Sequence, residues 1–191
     1  TALGVGSLAV ALALQDTLSN LFAGIHIIAS QQVRPGDYVQ LDSAQEGYVT
    51  DITWRYTTIR ALPNNMVIIP NSKLASAIVT NFYNPETQMA VRVPVGVSYA
   101  SDLDRVEEIS LAVARETMRE VPGGIPDFEP VLRFHTFGES SIDFNVIMRC
   151  REFTDQFVVR HEFVKRLHRR YRAEGIEIPF PIRTVHLQKE K

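Results

Sequence analysis

The chain has 191 residues, 45% hydrophobic and 22% charged, with a formal net charge of −2. That length suits one large domain or two small ones, and the composition is ordinary for a globular protein. The slightly acidic balance argues against a general nucleic-acid surface, and a single cysteine, Cys150, excludes an internal disulfide framework and any multi-cysteine zinc site.

Residues 1–14, "TALGVGSLAVALAL", carry no charge and consist almost wholly of Ala, Gly, Leu and Val. As a helix the run reaches only about 21 Å, whereas a bilayer core of roughly 30 Å asks for about 20 apolar residues. It has neither a basic leader nor a small-residue cleavage site followed by polar sequence, so a signal peptide is not expected. The expectation is that the chain begins inside a longer protein. From Leu18 the pattern becomes amphipathic: Leu18, Leu21, Phe22, Ile25 and Ile28 predict a second helical segment, ending near Pro35 and Gly36.

Residues 37–81 read as short strands. "DYVQL", "GYVTDITWRYTTIRAL" and "NMVIIP" are rich in β-branched and aromatic residues. Pro63, Asn64 and Asn65 predict a hairpin connection, and Pro70-Asn71-Ser72 a tight turn or short helix. Four or five strands in so short a stretch suggest a small barrel.

Beyond it, "QMAVRVPVGVSYA" predicts a strand and "SDLDRVEEISLAVARETMRE" a helix with Leu103, Val106, Ile109 and Val113 on one face. Ser101 and Asp104 fit a capping box at its start. "PVLRFHTFG" and "SSIDFNVIMRC" predict a hairpin. A further helix from about Thr154 to Ala173 carries Phe157, Val164, Leu167 and Tyr171, with Gly175 placed to cap it. "IEIPFPIRTVHLQ" predicts a closing strand. The order β-α-β-β-α-β is that of a ferredoxin-like split βαβ unit.

Catalytic constellations are not evident. There is no glycine-rich phosphate loop, H-E-x-x-H or paired-cysteine spacing, so no enzyme, metal site or cofactor is expected. His161 and His168 are seven apart, which suits a solvated or packing role better than metal ligation. Asp102 and Asp104 are explained by helix capping, and the serines of "FGESS" lack a convincing partner base.

Projected at 100° per residue, the opening run has four sides. Thr1, Val5, Leu8 and Leu12 form one sector, and Leu3, Val10 and Leu14 the opposite one. Between them lie flanks of small residues: Ala2, Gly6, Ala9 and Ala13 on one side, Gly4, Ser7 and Ala11 on the other. A core helix would show a polar face instead. Small flanks let helices touch closely on both sides, as in a ring whose lumen is faced by Val5, Leu8 and Leu12. Rings of leucine in a narrow lumen block ions by dewetting.

These residues, with "RPGDYVQL", "GYVTDITWRYTTIRAL", "VIIPNSKLASAIVTNF" and the closing "IPFP", resemble the small-conductance mechanosensitive channel family (MscS) through nearly the whole chain. The resemblance implies a membrane-protein fragment of α+β class. A kinked pore-lining helix and an amphipathic interfacial helix would occupy 1–32, an Sm-like β barrel 33–82, and a ferredoxin-like α/β domain with a C-terminal strand 83–191. It implies a homoheptamer in the inner (plasma) membrane, multi-pass, with cytoplasmic C-terminal domains forming a perforated chamber. Its partners would be membrane lipids, permeating ions and small solutes, with no nucleic acid. By motif position Leu8 and Leu12 match the sealing leucine rings; on the helical projection Thr1 and Val5 share their pore-lining sector, and the small flanking residues are those that would pack neighbouring helices.

The sequence departs from the family pattern in places. Asp16 stands at the usual glycine kink, so bending falls to Gln15, Asp16 and the second glycine position, Gly24. "QQV" at Gln31–Val33 replaces a basic-proline motif, and Val5 stands where a smaller residue is usual. The sensor helices that precede the pore helix in the family are absent from this chain. The function so implied is release of ions and small solutes under membrane tension on hypoosmotic shock. The alternatives are a soluble Sm-like RNA-binding module, a ferredoxin-like small-molecule enzyme, or an MscS-like channel gated by a ligand.

Overall fold

The computed structural model describes residues 2–42, 44–181 and 183, with side chains from Gly6 onward. The chain forms two compact units, Thr1–Thr87 and Gln88–Lys191.

The first unit opens with one long helix, α1 (Ala2–Ser30). The change of pattern at Gln15 and Asp16 therefore does not divide it into two helices. An exposed aspartate inside a helix costs only a few tenths of a kcal/mol relative to the best formers, too little to break it. Five strands follow: β1 (Tyr38–Leu41), β2 (Glu46–Ile52), β3 (Tyr56–Arg60), β4 (Met66–Pro70) and β5 (Val79–Asn81), with a short helix α2 (Asn71–Ser76) before the last. Their order is β4-β3-β2-β1-β5, antiparallel throughout, as in an Sm-like small barrel. A register shift between Val49 and Asp51 bulges β2 against β3.

The predicted hairpin connection forms: Asn64 takes the left-handed conformation (φ 71°), and the Ala61 N–H reaches the Asn65 carbonyl at 2.9 Å. Asparagine tolerates that region better than most residues. Val39, Leu41, Val49, Ile59, Ile69 and Leu74 make the core, joined by Ile27 of α1 and Val33 just beyond it.

In the second unit β6 (Met89–Val97) leads into α3 (Leu103–Glu120), the hairpin β7 (Val131–Phe137) and β8 (Ile142–Cys150), and α4 (Asp155–Glu174). The sheet order β6-β8-β7, antiparallel, is the first-third-second arrangement of a split βαβ unit. Strand β8 is central and alternates strictly. Its Ile142, Phe144, Val146, Met148 and Cys150 are buried, and α3 packs on that core through Val106, Ile109, Val113 and Met118.

Three expectations change here. The cap of α3 is Asp102 rather than Ser101: its carboxylate accepts from the Asp104 and Arg105 N–H groups at 3.1 and 3.3 Å. On α4, Leu167 and Tyr171 are buried as expected, but Phe157 and Val164 are about half exposed. The buried stripe instead runs Gln156, Val159, Phe163, Leu167, Tyr171, so the helix is rotated about one position from the expected phase. Third, residues 176–181 of the expected closing strand carry no strand. They leave one sheet-edge bond, from the Ser98 N–H to the Glu177 carbonyl at 3.1 Å, and Pro179 and Pro181 have no N–H to donate. Of the rest, Ile182 and 184–188 lie outside the described residues. The C-terminus of α4 is as expected, with Gly175 in the left-handed region at φ 70°.

Tyr171 is almost wholly buried, and its hydroxyl meets the Ser110 hydroxyl at 2.6 Å. Burial raises the phenol from its ordinary 10.0 to about 12, while the Ser110 hydrogen bond pulls the other way. The unfolded chain then ionises first, and the stability Tyr171 contributes is complete below pH 10 and lost as pH rises from 10 towards 12. Denaturation midpoints measured across that window should fall, and Tyr171→Phe should remove this part of the fall.

Candidate functional site: the apolar helix and its seat

Every described side chain of α1 from Gly6 to Ser19 is exposed on this chain, although most are apolar. Leu8 and Leu12 are 61% and 62% exposed and share one face; Val10 and Leu14 lie opposite. Gly6, Ala9 and Ala13 form one small flank, Ser7 and Ala11 the other. Val5, Ala2 and Gly4 belong to the helix with side chains outside the described set, and Thr1 lies outside the described residues. The unbroken helix also changes the length argument. Gly6–Ser30 is long and apolar enough to cross a membrane.

The C-terminal half of α1 meets the β strands' side of the unit on a different face. Asn20, Gly24 and Ile27, at i, i+4 and i+7, are buried. Asn20 donates through Nδ2 to the Asp16 carbonyl at 2.8 Å, which fixes its amide, and its Oδ1 accepts the Ser72 N–H at 3.0 Å. Ser72 lies in the first turn of α2, where N–H groups lack helical partners. Pro70, the N-cap residue of α2, supplies no side-chain bond. Asn20 thus caps α2 from 52 residues away.

One turn on, Gly24 faces Asn71 and the hairpin between β2 and β3. A Cβ there would lie 2.5 Å from Asn71 Nδ2 and 2.8 Å from the Trp54 carbonyl oxygen. Asn71 is fully buried, and its backbone N–H and both polar atoms of its side chain are hydrogen-bonded. Its N–H donates to the Arg55 carbonyl at 3.0 Å, its Nδ2 to the Thr53 carbonyl at 2.8 Å, and its Oδ1 accepts the buried Thr57 hydroxyl at 2.9 Å. The Asn71 amide is held rigidly, and only a residue without a side chain lets α1 approach it so closely.

The helix ends at Gln31, in the left-handed region at φ 53°, with its N–H on the Ile27 carbonyl at 3.2 Å. Beyond it, Asn81 donates to the Gln32 carbonyl at 2.9 Å and to Asp37 Oδ2 at 2.8 Å, tying the "QQV" segment to β5.

Of the residues singled out from sequence, Leu8 and Leu12 come together on one exposed face. Gln15 and Asp16 lie in mid-helix, and Gly24 lies in the seat. Asn20, Thr57, Asn71 and Ser72 were not picked out. The available signal was the spacing alone, which sets polar Asn20 in line with Gly24 and Ile27 at i, i+4 and i+7. His161 and His168 are exposed on α4, and no cluster of metal-binding side chains occurs among the described residues. Ser141 of "FGESS" donates to Asp143 Oδ1 at 2.6 Å.

Comparison with known proteins follows this division. A family model for the mechanosensitive ion channel β-domain matches residues 16–84, and one for the mechanosensitive ion channel MscS C-terminal domain matches 91–178. An MscS family protein of Buchnera aphidicola is 32% identical over 98% of this chain and 64% of its own length. The small-conductance mechanosensitive channel MscMJ of Methanocaldococcus jannaschii is 30% identical over 98% of this chain and 53% of its own. The chain therefore spans between half and two thirds of these relatives. The closed-state crystal structure of Helicobacter pylori MscS superposes with a TM-score of 0.82 at 26% identity, covering 100% of this chain and 73% of that one.

Proposed function

Because this chain belongs to the MscS family of mechanosensitive ion channels, we propose that it supplies the pore and the cytoplasmic domains of a channel opened by membrane tension. The reading assigns it to an inner-membrane homoheptamer, with α1 lining the pore and the β strands and α/β unit that follow it on the cytoplasmic side. Through it, ions and small solutes leave the cell on hypoosmotic shock.

One observation carries the proposal. From Gly6 to Ser19 the helix is mostly apolar and uncovered on every side. Such a helix needs neighbours or lipid around it, and its two small-residue flanks suit close neighbours on both sides. That leaves Leu8 and Leu12 for the lumen and Val10 and Leu14 for the outside. Two stacked leucine rings in a narrow lumen exclude water and seal it. Opening then requires the helices to tilt or rotate until the rings separate. The side chains of Thr1 and Val5 would continue the lumen above the seal.

Patch-clamp recording of the full-length channel tests this directly. Leu8→Ser and Leu12→Ser should wet the constriction and give channels that leak at resting tension. If both variants close as tightly as the parent channel, the gate lies elsewhere.

A further inference from the structure

Trp54 is the chain's only tryptophan. It sits in the turn between β2 and β3 and is 54% exposed, an unusual place for so large an apolar ring. Its carbonyl is held against α1 at Gly24, so the turn has a fixed depth along the helix axis. Next to it Arg55 is exposed and Tyr56 is 40% exposed.

At the same depth α1 carries Phe22, Ile25 and Ile28, each more than half exposed. Phe22 and Ile25 project on the side of the helix away from Asn20, Gly24 and Ile27, which form the seat. Uncovered apolar groups therefore lie on both sides of α1 at one level. From Phe22 to Ile28 that level is about 9 Å thick, close to the roughly 5–8 Å of a headgroup layer. A protein neighbour covers one face, whereas a planar boundary meets every side at one depth.

We propose that the Trp54 turn is a membrane-interface anchor, set in the headgroup layer where α1 leaves the bilayer. It rests on the reading of α1 as a membrane helix. The chemistry fits. Trp and Tyr, apolar in body and polar at the tip, collect at that boundary, and an exposed arginine beside them attracts anionic headgroups. Because the same turn abuts Gly24 and Asn71, the anchor would hold the β domain at a set distance from the bilayer.

The test is fluorescence of the full-length protein with Trp54 as its sole tryptophan, in vesicles of phosphatidylcholine and phosphatidylglycerol. Lipids brominated near the ester end should quench Trp54 about twofold more strongly than lipids brominated near the methyl end, as a ring at headgroup level requires. Blue-shifted emission untouched by either lipid would place the ring against another copy of the chain. Red-shifted emission quenched by aqueous iodide would place it in water. Either result overturns the anchor while the membrane helix stands. Protein that fails to float with the vesicles overturns both.

Discussion

Gly24→Ala should destabilise the first unit, although the same change strengthens the helix that contains it. In an isolated helix alanine is favoured over glycine by about 1 kcal/mol. Here the new methyl would lie 2.8 Å from the Trp54 carbonyl oxygen and 3.2 Å from its carbon. Backbone atoms of a paired hairpin cannot step aside as a flexible side chain can. The Asn71 amide, at 2.5 Å, is pinned by its own hydrogen bonds. Overpacking of this kind costs typically 1–3 kcal/mol, so the net loss should be up to about 2 kcal/mol.

Gly24→Val should cost more, since it adds two further methyl groups and loses the propensity gain. Thermal unfolding of the purified protein reads both. The sign is informative: a glycine kept for bending would give a more stable protein with alanine, by about the propensity difference. A raised Tm for Gly24→Ala would therefore favour the hinge reading over the seat.

Asn71→Leu should be the most costly single change in the same region. It keeps the branching of the side chain but replaces its amide by two bulkier methyl groups, and it leaves the Thr57 hydroxyl and the Thr53 carbonyl without their partner. Thr57 is fully buried, so water does not replace the lost bond. An orphaned group costs about 1–3 kcal/mol when buried, so the two together cost at most about 6 kcal/mol, and less than that because Thr53 is only half-buried. Combining Asn71→Leu with Thr57→Val should recover part of that loss, because the second change removes the stranded hydroxyl. A double-mutant cycle on unfolding free energies measures the coupling. Additive losses would show that the Thr57–Asn71 bond contributes nothing beyond packing.

Several local features were legible because they depend on neighbours in sequence. Asn64 at the hairpin and Gly175 after α4 are residue types that tolerate positive φ, and each sits where the chain turns. Pro70-Asn71-Ser72 marked a tight turn or a short helix, and the short helix α2 starts at Asn71. The cap of α3 was a choice between adjacent residues able to cap, Ser101 and Asp102. The choice fell to Asp102, whose carboxylate reaches the first-turn N–H groups of a helix that begins at Leu103. The phase of α4 was ambiguous for a related reason. Phe157, Val158 and Val159, and again Phe163 and Val164, are adjacent apolar residues, so more than one stripe satisfies the helical period. Packing on the sheet selected Val159 and Phe163 and left Val158 and Val164 to the surface.

What the sequence determined by itself is the character of α1: larger apolar residues on two opposite faces, small residues on the flanks and no charge before Asp16. These follow from residue type and the 3.6-residue turn alone. The resemblance carried by the same residues and by "VIIPNSKLASAIVTNF" implied a small β barrel followed by a ferredoxin-like α/β domain. Only the tertiary structure decided how α1 is held. Asn20 and Ser72 are 52 positions apart, Thr53 and Asn71 18, and Thr57 and Asn71 14. No periodicity links such pairs, because a hydrogen bond between distant segments depends on how the strands bring the chain back, not on any local propensity.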